Sequence, residues 1–363
     1  LLGSAQASDW EDDGEQPLKG LRTRLYPYQA RSASLMIERE AAPQLQLDPR
    51  LETRISPNGD RFLYCARDGS FLQEPRFYES NRGGILAETM GLGKTIICLA
   101  VVLASQGHYP QIPELYRCTL PVRARVGTLK EMAASVPGRH ALPGKACLED
   151  MAEHADVNLP RLKAVLDDNL PFYEIPPEIP RMNRTTRIPS PRQYVLCSGT
   201  ILVVPKNLLH QWQSEIRKHL LPEALKILVV DMVSKRSKPK VASIDRAGFD
   251  FASELPAPTE LMKYDVVLFT RNRFEQEIQD GTDSRGRRHM AGVSRTCSCP
   301  YIGATRIPDC SCFGSGTVYE SPLLKLHWLR IIIDEGHNFS SATSNAVLVA
   351  KQIQAERRWV VSG

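Results

Sequence analysis

The 363-residue chain has no apolar run of the roughly 18 residues that a membrane-spanning helix needs. Its longest, IICLAVVLA from Ile96 to Ala104, is half that length. No strong excess of one charge exists either: 46 Lys and Arg against 41 Asp and Glu leave +5. That balance permits a nucleic-acid partner without demonstrating one. The cysteines are nine, an odd number, and none stands in a CxxC pair. They speak against a secreted disulfide scaffold and fit free or metal-bound thiols in a reducing compartment. No secretory leader is expected, because Leu1-Leu2 passes at once into small and acidic residues. No internal repeat is visible. The chain opens on Leu1 instead of methionine and stops at Ser362-Gly363 just after an apolar run, so a fragment is expected.

What is present reads as a soluble globular protein, 42% apolar and 24% charged, long enough to bury a sizeable core. Residues 1–20 are acidic, small and nearly without apolar content, which predicts a flexible tail. From Leu25 the pattern YPYQARSASLMIERE predicts a helix entered through Pro27, with Ala30, Ala33 and Ile37 on one apolar stripe. Four runs, ILVVP (201–205), ILVV (227–230), DVVLF (265–269) and RIIID (330–334), are apolar on both faces, as strands covered by helices on each side must be. Ile85-Leu86-Ala87 and Trp359-Val360-Val361 bring the strand candidates to six. Between them TIICLAVVLAS (95–105) reads as a buried helix and LLHQWQSEIRKHL (208–220) as an amphipathic one. Strand alternating with helix predicts an α/β fold with a mostly parallel sheet and right-handed crossovers. Three stretches break that rhythm, at about 106–196, 232–260 and 275–320. They are too long for plain connections and are read as insertions on a core spanning 21–363.

Residues 87–95, AETMGLGKT, end as a phosphate-binding loop ends. The strict pattern has glycine where this chain has Glu88. The context is nevertheless right: a strand before the loop, a helix from Thr95 onward, and glycines at 91 and 93 that let backbone N–H groups approach phosphate oxygens. Lys94 is placed to reach the β- and γ-phosphates, and Thr95 to put its hydroxyl on magnesium. Met90, Gly91, Leu92 and Gly93 complete the cradle. About 240 residues on, Arg330 to Asp334 is an apolar strand ending in two adjacent carboxylates. Asp334 is placed to hold magnesium through water and Glu335 to take a proton from the attacking water. In open α/β sheets ligands bind beyond the carboxyl ends of strands, where both pieces would lie. Together they read as an ATPase site.

AETMGLGKT and DEGH, in this arrangement, resemble the superfamily-two helicase fold, and within it the Swi/Snf-type DNA translocases. The family's loop typically reads DEMGLGKT, with an acidic residue where the strict pattern has glycine, so Glu88 is a substitution within that pattern; Thr89, where the family has glutamate, departs from it. Other segments match in order. Leu25-Tyr26-Pro27-Tyr28-Gln29 is similar to LRPYQ, which implies that Gln29 hydrogen-bonds adenine. Residues 200–205 with Leu209, Trp212 and Glu215 resemble LIVxP…LxxWxxE, implying a DNA-backbone contact at Lys206. DVVLFT resembles a strand whose terminal threonine, here Thr270, meets DNA. Arg358 to Gly363 resembles the start of RxxLTGTP, a coupling segment toward whose Ser362-Gly363 the resemblance directs His337. Trp328-Leu329-Arg330 ahead of the carboxylates is similar to the branch that carries RING ubiquitin-ligase domains.

The resemblance implies the first RecA-like lobe of a P-loop NTPase, with helices on both faces of its sheet and long inserted segments. It implies ATP and magnesium as cofactors, duplex DNA and nucleosomes as partners, a nuclear location, and a second lobe that supplies arginines worth roughly 10³ to 10⁵ in rate. On that expectation the isolated fragment turns over little. The rival from another class is a degenerate lobe serving as a DNA- or chromatin-binding scaffold; the presence of Lys94, Thr95, Asp334 and Glu335 together argues against it.

Cys297, Cys299, Cys310 and Cys312 form two CxC pairs within sixteen residues, with Gly303 and Pro308 between them to let the chain turn back. Four thiolates are enough to surround one structural zinc, and free thiols or a disulfide are the other readings open. Cys98 is expected in the core. Lys235 to Lys240 is a DNA-facing loop, a nuclear-import signal or a solvated run of charge. Trp212 is expected to pack beneath its helix.

Overall fold

The computed structural model describes residues 18–42, 45–48, 50–72, 77–79, 81–116, 160, 170–176, 191–231, 248–277, 321–339, 341 and 344–363. The four CxC cysteines and the lysine-rich run at 235–240 lie outside the described residues.

In chain order the strands are β1 Leu45–Leu47, β2 Leu51–Ile55, β3 Arg61–Cys65, β4 Ser70–Leu72, β5 Phe77–Glu79, β6 Gly83–Leu86, β7 Phe172–Ile175, β8 Arg192–Val204, β9 Ile227–Val230, β10 Phe249–Ala252, β11 Val266–Thr270, β12 Leu326–Asp334 and β13 Gln354–Val361. The helices are α1 Pro27–Ala41, α2 Lys94–Ala104, α3 Leu209–His219, α4 Pro258–Leu261, α5 Arg271–Phe274 and α6 Asn345–Gln352. Seven strands pair in parallel in the order β10-β9-β11-β8-β12-β13-β6, and β7 adds an antiparallel partner to the first half of β8. All six expected strands are there. The sheet nevertheless holds eight, because the stretches read as insertions contribute to it. Phe249–Ala252, within 232–260, forms the edge strand β10, and Phe172–Ile175, within 106–196, forms β7. Polar, alternating FDFA and FYEI lack the two-sided apolar run that marks the other strands, because an edge needs less cover.

Side chains along each central strand alternate between two cores, as a period of two requires. Leu202, Val204, Val229, Leu268 and Ile332 face α1, α2 and α3. Ile201, Val203, Val230, Phe269, Ile331 and Ile333 face the opposite layer, with Leu261, Phe274, Val349 and Ile353. Helices thus cover both faces, the RecA-like arrangement, and every residue of β12 is buried. Within α2, residues 96–103 are all buried, Cys98 among them, and burial pushes its thiol up to about 12. A third cluster stacks Tyr116 on Tyr173 and Tyr173 on Tyr194, with His327 edge-on.

Two features are not legible in the sequence. Between α1 and β6 the chain makes a three-stranded antiparallel sheet, β2-β3-β4, and a separate β1–β5 pair. The end of the expected tail is held to the core: Leu18 lies against it, and the Leu221 N–H donates to the Gly20 carbonyl at 2.9 Å.

The helix α1 begins at Pro27 as expected, but its buried stripe runs Gln29, Ala30, Ala33, Met36, Glu40. Glu40, 1% exposed, accepts from Arg330 (Nε 2.6 Å), from Arg357 (Nη1 2.8 Å) and from Trp359 (Nε1 2.7 Å). Arg330 also donates to Ser105 (2.7 Å) and Thr200 (3.2 Å). Burial alone would raise the Glu40 carboxyl; the two guanidiniums and the indole outweigh it and hold the pKa below its ordinary value. One carboxylate therefore ties α1 to the middle of β12 and to β13. Removing one partner of such a group leaves buried charge uncompensated, at a cost of about 3–5 kcal/mol. Glu40→Ala is expected to lower the denaturation midpoint by a corresponding amount, and an unchanged midpoint in chemical denaturation would contradict the role assigned to it.

His327, 5% exposed, has its pKa lowered to about 4, mainly by desolvation and also by Arg358. The unfolded chain binds this proton near pH 6.5 and the folded chain only near 4, so stability is full above 6.5 and falls on acidification toward 4. His327→Phe should flatten the fall in unfolding free energy between about pH 7 and 5, measured by urea titration.

Candidate active site

The phosphate-loop sequence follows β6, and two parallel pairings carry its position across the sheet. Leu86 is level with Val361, and Val361 is level with Asp334. Neighbouring strands lie about 4.8 Å apart, so the start of the loop and the Asp334 backbone stand roughly 10 Å from each other across one sheet edge. Ser362, between them, donates its N–H to the Leu86 carbonyl at 3.1 Å. Residues separated by about 240 positions are brought to one place by register.

The loop turns through Gly91 and Gly93, with φ +83° and +78°. Gly93 caps α2, and a Cβ there would come 2.4 Å from Gln29 Nε2, so glycine is required by both conformation and space. Lys94 is turned back on the loop, donating to the carbonyls of Glu88 (2.9 Å) and Thr89 (3.2 Å). The last residue closes beside it: a Cβ on Gly363 would lie 2.9 Å from Lys94 Nζ. Glu88 does not point a bare charge into the cradle. Its carboxylate accepts from Ser32 of α1 at 3.1 Å, which shows how an acidic residue is accommodated at that position.

Gln29 is buried and fastens the loop. Its Nε2 donates to the Leu92 carbonyl (3.1 Å) and to the Tyr28 hydroxyl (3.3 Å), and its Oε1 accepts from the Tyr26 N–H (3.0 Å). Both amide hydrogens are thus in use within the protein. The Tyr28 hydroxyl donates to the same Leu92 carbonyl at 3.1 Å.

Asp334, 7% exposed, accepts from the indole N–H of Trp212 at Oδ2 (2.7 Å) and from the Glu335 N–H at Oδ1 (2.9 Å). Burial raises its pKa above the ordinary value, against those two hydrogen bonds and the positive charge of Lys94, which is near enough to act on it. Glu335 sits at φ +51°, one of two non-glycine residues with positive φ among those described. A left-handed residue with a Cβ is strained, and such strain gathers at functional sites. The backbone reversal frees the Glu335 side chain from the strand direction. Its Oε2 is buried without a hydrogen-bond partner, although His337 Nδ1 stands 3.2 Å away off the line of a hydrogen bond. A buried acceptor of this kind invites a water or a ligand.

The donor set fits magnesium held with a nucleotide. That ion keeps several waters and takes one or two protein oxygens plus phosphates, so it needs no cluster of three ligating side chains. Among the described residues no such cluster exists. Thr95 at the start of α2 and Asp334 at the end of β12 are the side chains of the right kind.

Other expected positions differ. His337 is exposed with its Nδ1 3.2 Å from Glu335, and the Ser362 N–H donates to Leu86. Thr270 is fully buried and donates to Asp231 at 2.7 Å. Its hydroxyl is therefore not available to DNA in this conformation. Arg271, the next residue, stacks over Phe339 at 5.3 Å and pairs with Glu275. Lys206 is exposed on the short turn after β8. Trp212 does pack beneath its helix, yet it also holds Asp334, a role that its sequence position does not announce. The available signal is the chemistry of indole: a buried Trp N–H usually finds an acceptor.

A model described as the SNF2-related domain matches residues 28–363. The chain belongs to that family. Over 97% of its length it is 23% identical to the helicase-like transcription factor of Oryctolagus cuniculus, of which it covers 36%. It is 22% identical, over 96% of its length, to a putative SWI/SNF-related matrix-associated actin-dependent regulator of chromatin subfamily A member 3-like 1 from Arabidopsis thaliana, covering 28% of it. With the Arabidopsis thaliana DNA repair protein RAD5A it shares 23% identity over 80% of its length and 19% of the relative's. The chain thus spans about a third or less of these relatives.

In this SNF2-related domain the contact between Gln29 and the loop is open to a direct check. Gln29→Ala strands the Tyr26 N–H and leaves the Leu92 carbonyl with the Tyr28 hydroxyl as its remaining side-chain donor, at a cost of about 1–3 kcal/mol. Gln29→Glu should destabilise more, because a carboxylate would face the Leu92 carbonyl. Thermal melts that rank the glutamate variant above the alanine variant would refute the assigned geometry.

Proposed function

We propose that the chain is the ATP-binding lobe of a DNA-dependent ATPase and translocase of the Swi/Snf type, acting on duplex DNA or chromatin in the nucleus. The observation that carries this is the alignment of Leu86, Val361 and Asp334 on neighbouring parallel strands, which sets the Lys94 loop beside the carboxylate pair. Lys94 would leave the Glu88 and Thr89 carbonyls for the β- and γ-phosphates, while residues 90–93 offer backbone N–H groups and the α2 N-terminus its dipole. Bound magnesium would supply charge neutralisation at the phosphates, with Thr95 and Asp334 holding it. The Oε2 of Glu335, which accepts no hydrogen bond within the protein, is suited to accept a proton from an attacking water. An adenine contact by Gln29 requires it to exchange its bond to Tyr28 or Leu92, or to use the second lone pair of Oε1.

Family membership and the names of the relatives, a helicase-like factor and a DNA repair protein, support the DNA-directed part of this reading. Lys206, exposed beyond the end of β8, is the described residue best suited to a DNA phosphate. Hydrolysis is assigned to the lobe acting with a second one, and a zinc at the four CxC cysteines is a proposal for metal analysis.

In the full protein, Lys94→Ala should reduce DNA-stimulated ATP turnover to background, and Glu335→Gln should abolish turnover while retaining ATP on a filter. Turnover undiminished in either variant would overturn the catalytic roles of these two side chains.

A further inference from the structure

The bond between Trp212 and Asp334 joins two elements that pairing in the sheet does not join. Indole is a donor only, and this one, 3% exposed, gives its single N–H to a carboxylate 122 residues away. The other carboxylate oxygen is held from within its own strand end by the Glu335 N–H. The orientation of Asp334 is therefore set by two donors, and only one of them can move independently of β12.

That donor rides on a helix buried through Leu209, Trp212 and Gln213 near its start and tied to residues 21–23 at its far end. At the C-terminus of α3, His219 bonds Thr23 (2.8 Å), the Arg22 N–H donates to the His219 carbonyl (2.6 Å), and Leu220 bridges Leu21. At the N-terminus α3 continues without a break from the turn Lys206–Leu208, whose exposed lysine lies six residues before Trp212. A load on that turn would bear directly on the N-terminal end of α3, which is packed into the core through Leu209 and Trp212. Trp212, in the first turn of α3, would move with it. Coupling between sites is carried by such hydrogen bonds and rigid elements.

We propose that Trp212 is a positioning residue for Asp334, and that its indole N–H transmits displacement of the exposed Lys206 turn to that carboxylate. The proposal rests on the ATP-site reading and adds a route by which a polyanion bound at Lys206, duplex DNA on that reading, would tune it. A tryptophan present only for packing would influence nucleotide binding equally with and without magnesium. One that orients Asp334 acts selectively on the magnesium-dependent part, since loss of a group that orients a metal ligand commonly costs about 10–100-fold in metal affinity.

The test uses the full protein and a fluorescent ADP, titrated in magnesium and in EDTA, with and without a short duplex DNA. Trp212→Phe keeps an aromatic ring and removes the donor. The gain in affinity that magnesium confers should fall about tenfold, and DNA should no longer alter it. Equal losses in magnesium and EDTA, or an unchanged magnesium gain, would overturn the proposal. A fluorinated tryptophan placed at 212 alone gives a second readout that needs no folding of the variant. Its ¹⁹F resonance should shift on adding magnesium with ADP and again on adding duplex DNA, and a resonance that ignores either addition would overturn it equally. Should the unsubstituted protein show no magnesium-dependent ADP binding, the ATP-site reading itself falls, and the proposal with it.

Discussion

Parallel pairing of β13 between β6 and β12 is the constraint from which the rest of the site follows. A slip of one residue in either ladder would move Leu86 or Asp334 along the sheet and turn alternate side chains to the wrong face. The register is held by burial: Trp359 and Val361 of β13 lie in the core shared with α1 and α2, and the nine residues of β12 are all covered. Only because both neighbours are aligned do a loop that begins after residue 86 and a carboxylate pair at 334–335 share an edge.

The same strands are tied at a second level. Glu40 holds Arg330 of β12 together with Arg357 and Trp359 of β13, and Arg330 reaches Ser105 at the end of α2. At the other end of α1, Gln29 grips the Leu92 carbonyl. One helix thus spans from a buried charge cluster to the loop, with polar contacts near both ends and small apolar residues between them. Neutral groups of like shape would pack this interior with less desolvation. Asp334 shows the opposite balance. Burial opposes its charge and outweighs the indole, the backbone N–H and the field of Lys94, so its pKa stands above the ordinary value.

The amino-acid pattern makes the central strands legible because each is apolar on both faces, and the loop legible because its glycines and lysine stand at fixed offsets. It leaves β7 and β10 illegible: edge strands carry polar residues, and only the presence of a neighbour turns FYEI or FDFA into sheet. The helix α1 is readable from Ala30, Ala33 and Ile37, yet Gln29 and Glu40 are invisible as buried residues because their partners lie 63 and about 290–320 positions away. The place of Thr270 at a strand end is legible, but not its burial, since nothing in the local sequence announces that Asp231 will take its hydroxyl.

The chain's own order of residues determined the local features on which the proposed site draws: the glycines that permit positive φ, the lysine at the head of a helix, and two carboxylates ending an apolar strand. These are local properties, set by backbone sterics and by side-chain donors and acceptors. Tertiary structure alone decided which of them meet, and that Trp212 reaches Asp334 while His337 turns to Glu335. Such contacts depend on strand register and helix angle, which are settled by the joint burial of surfaces far apart in the chain and not by any short stretch of it.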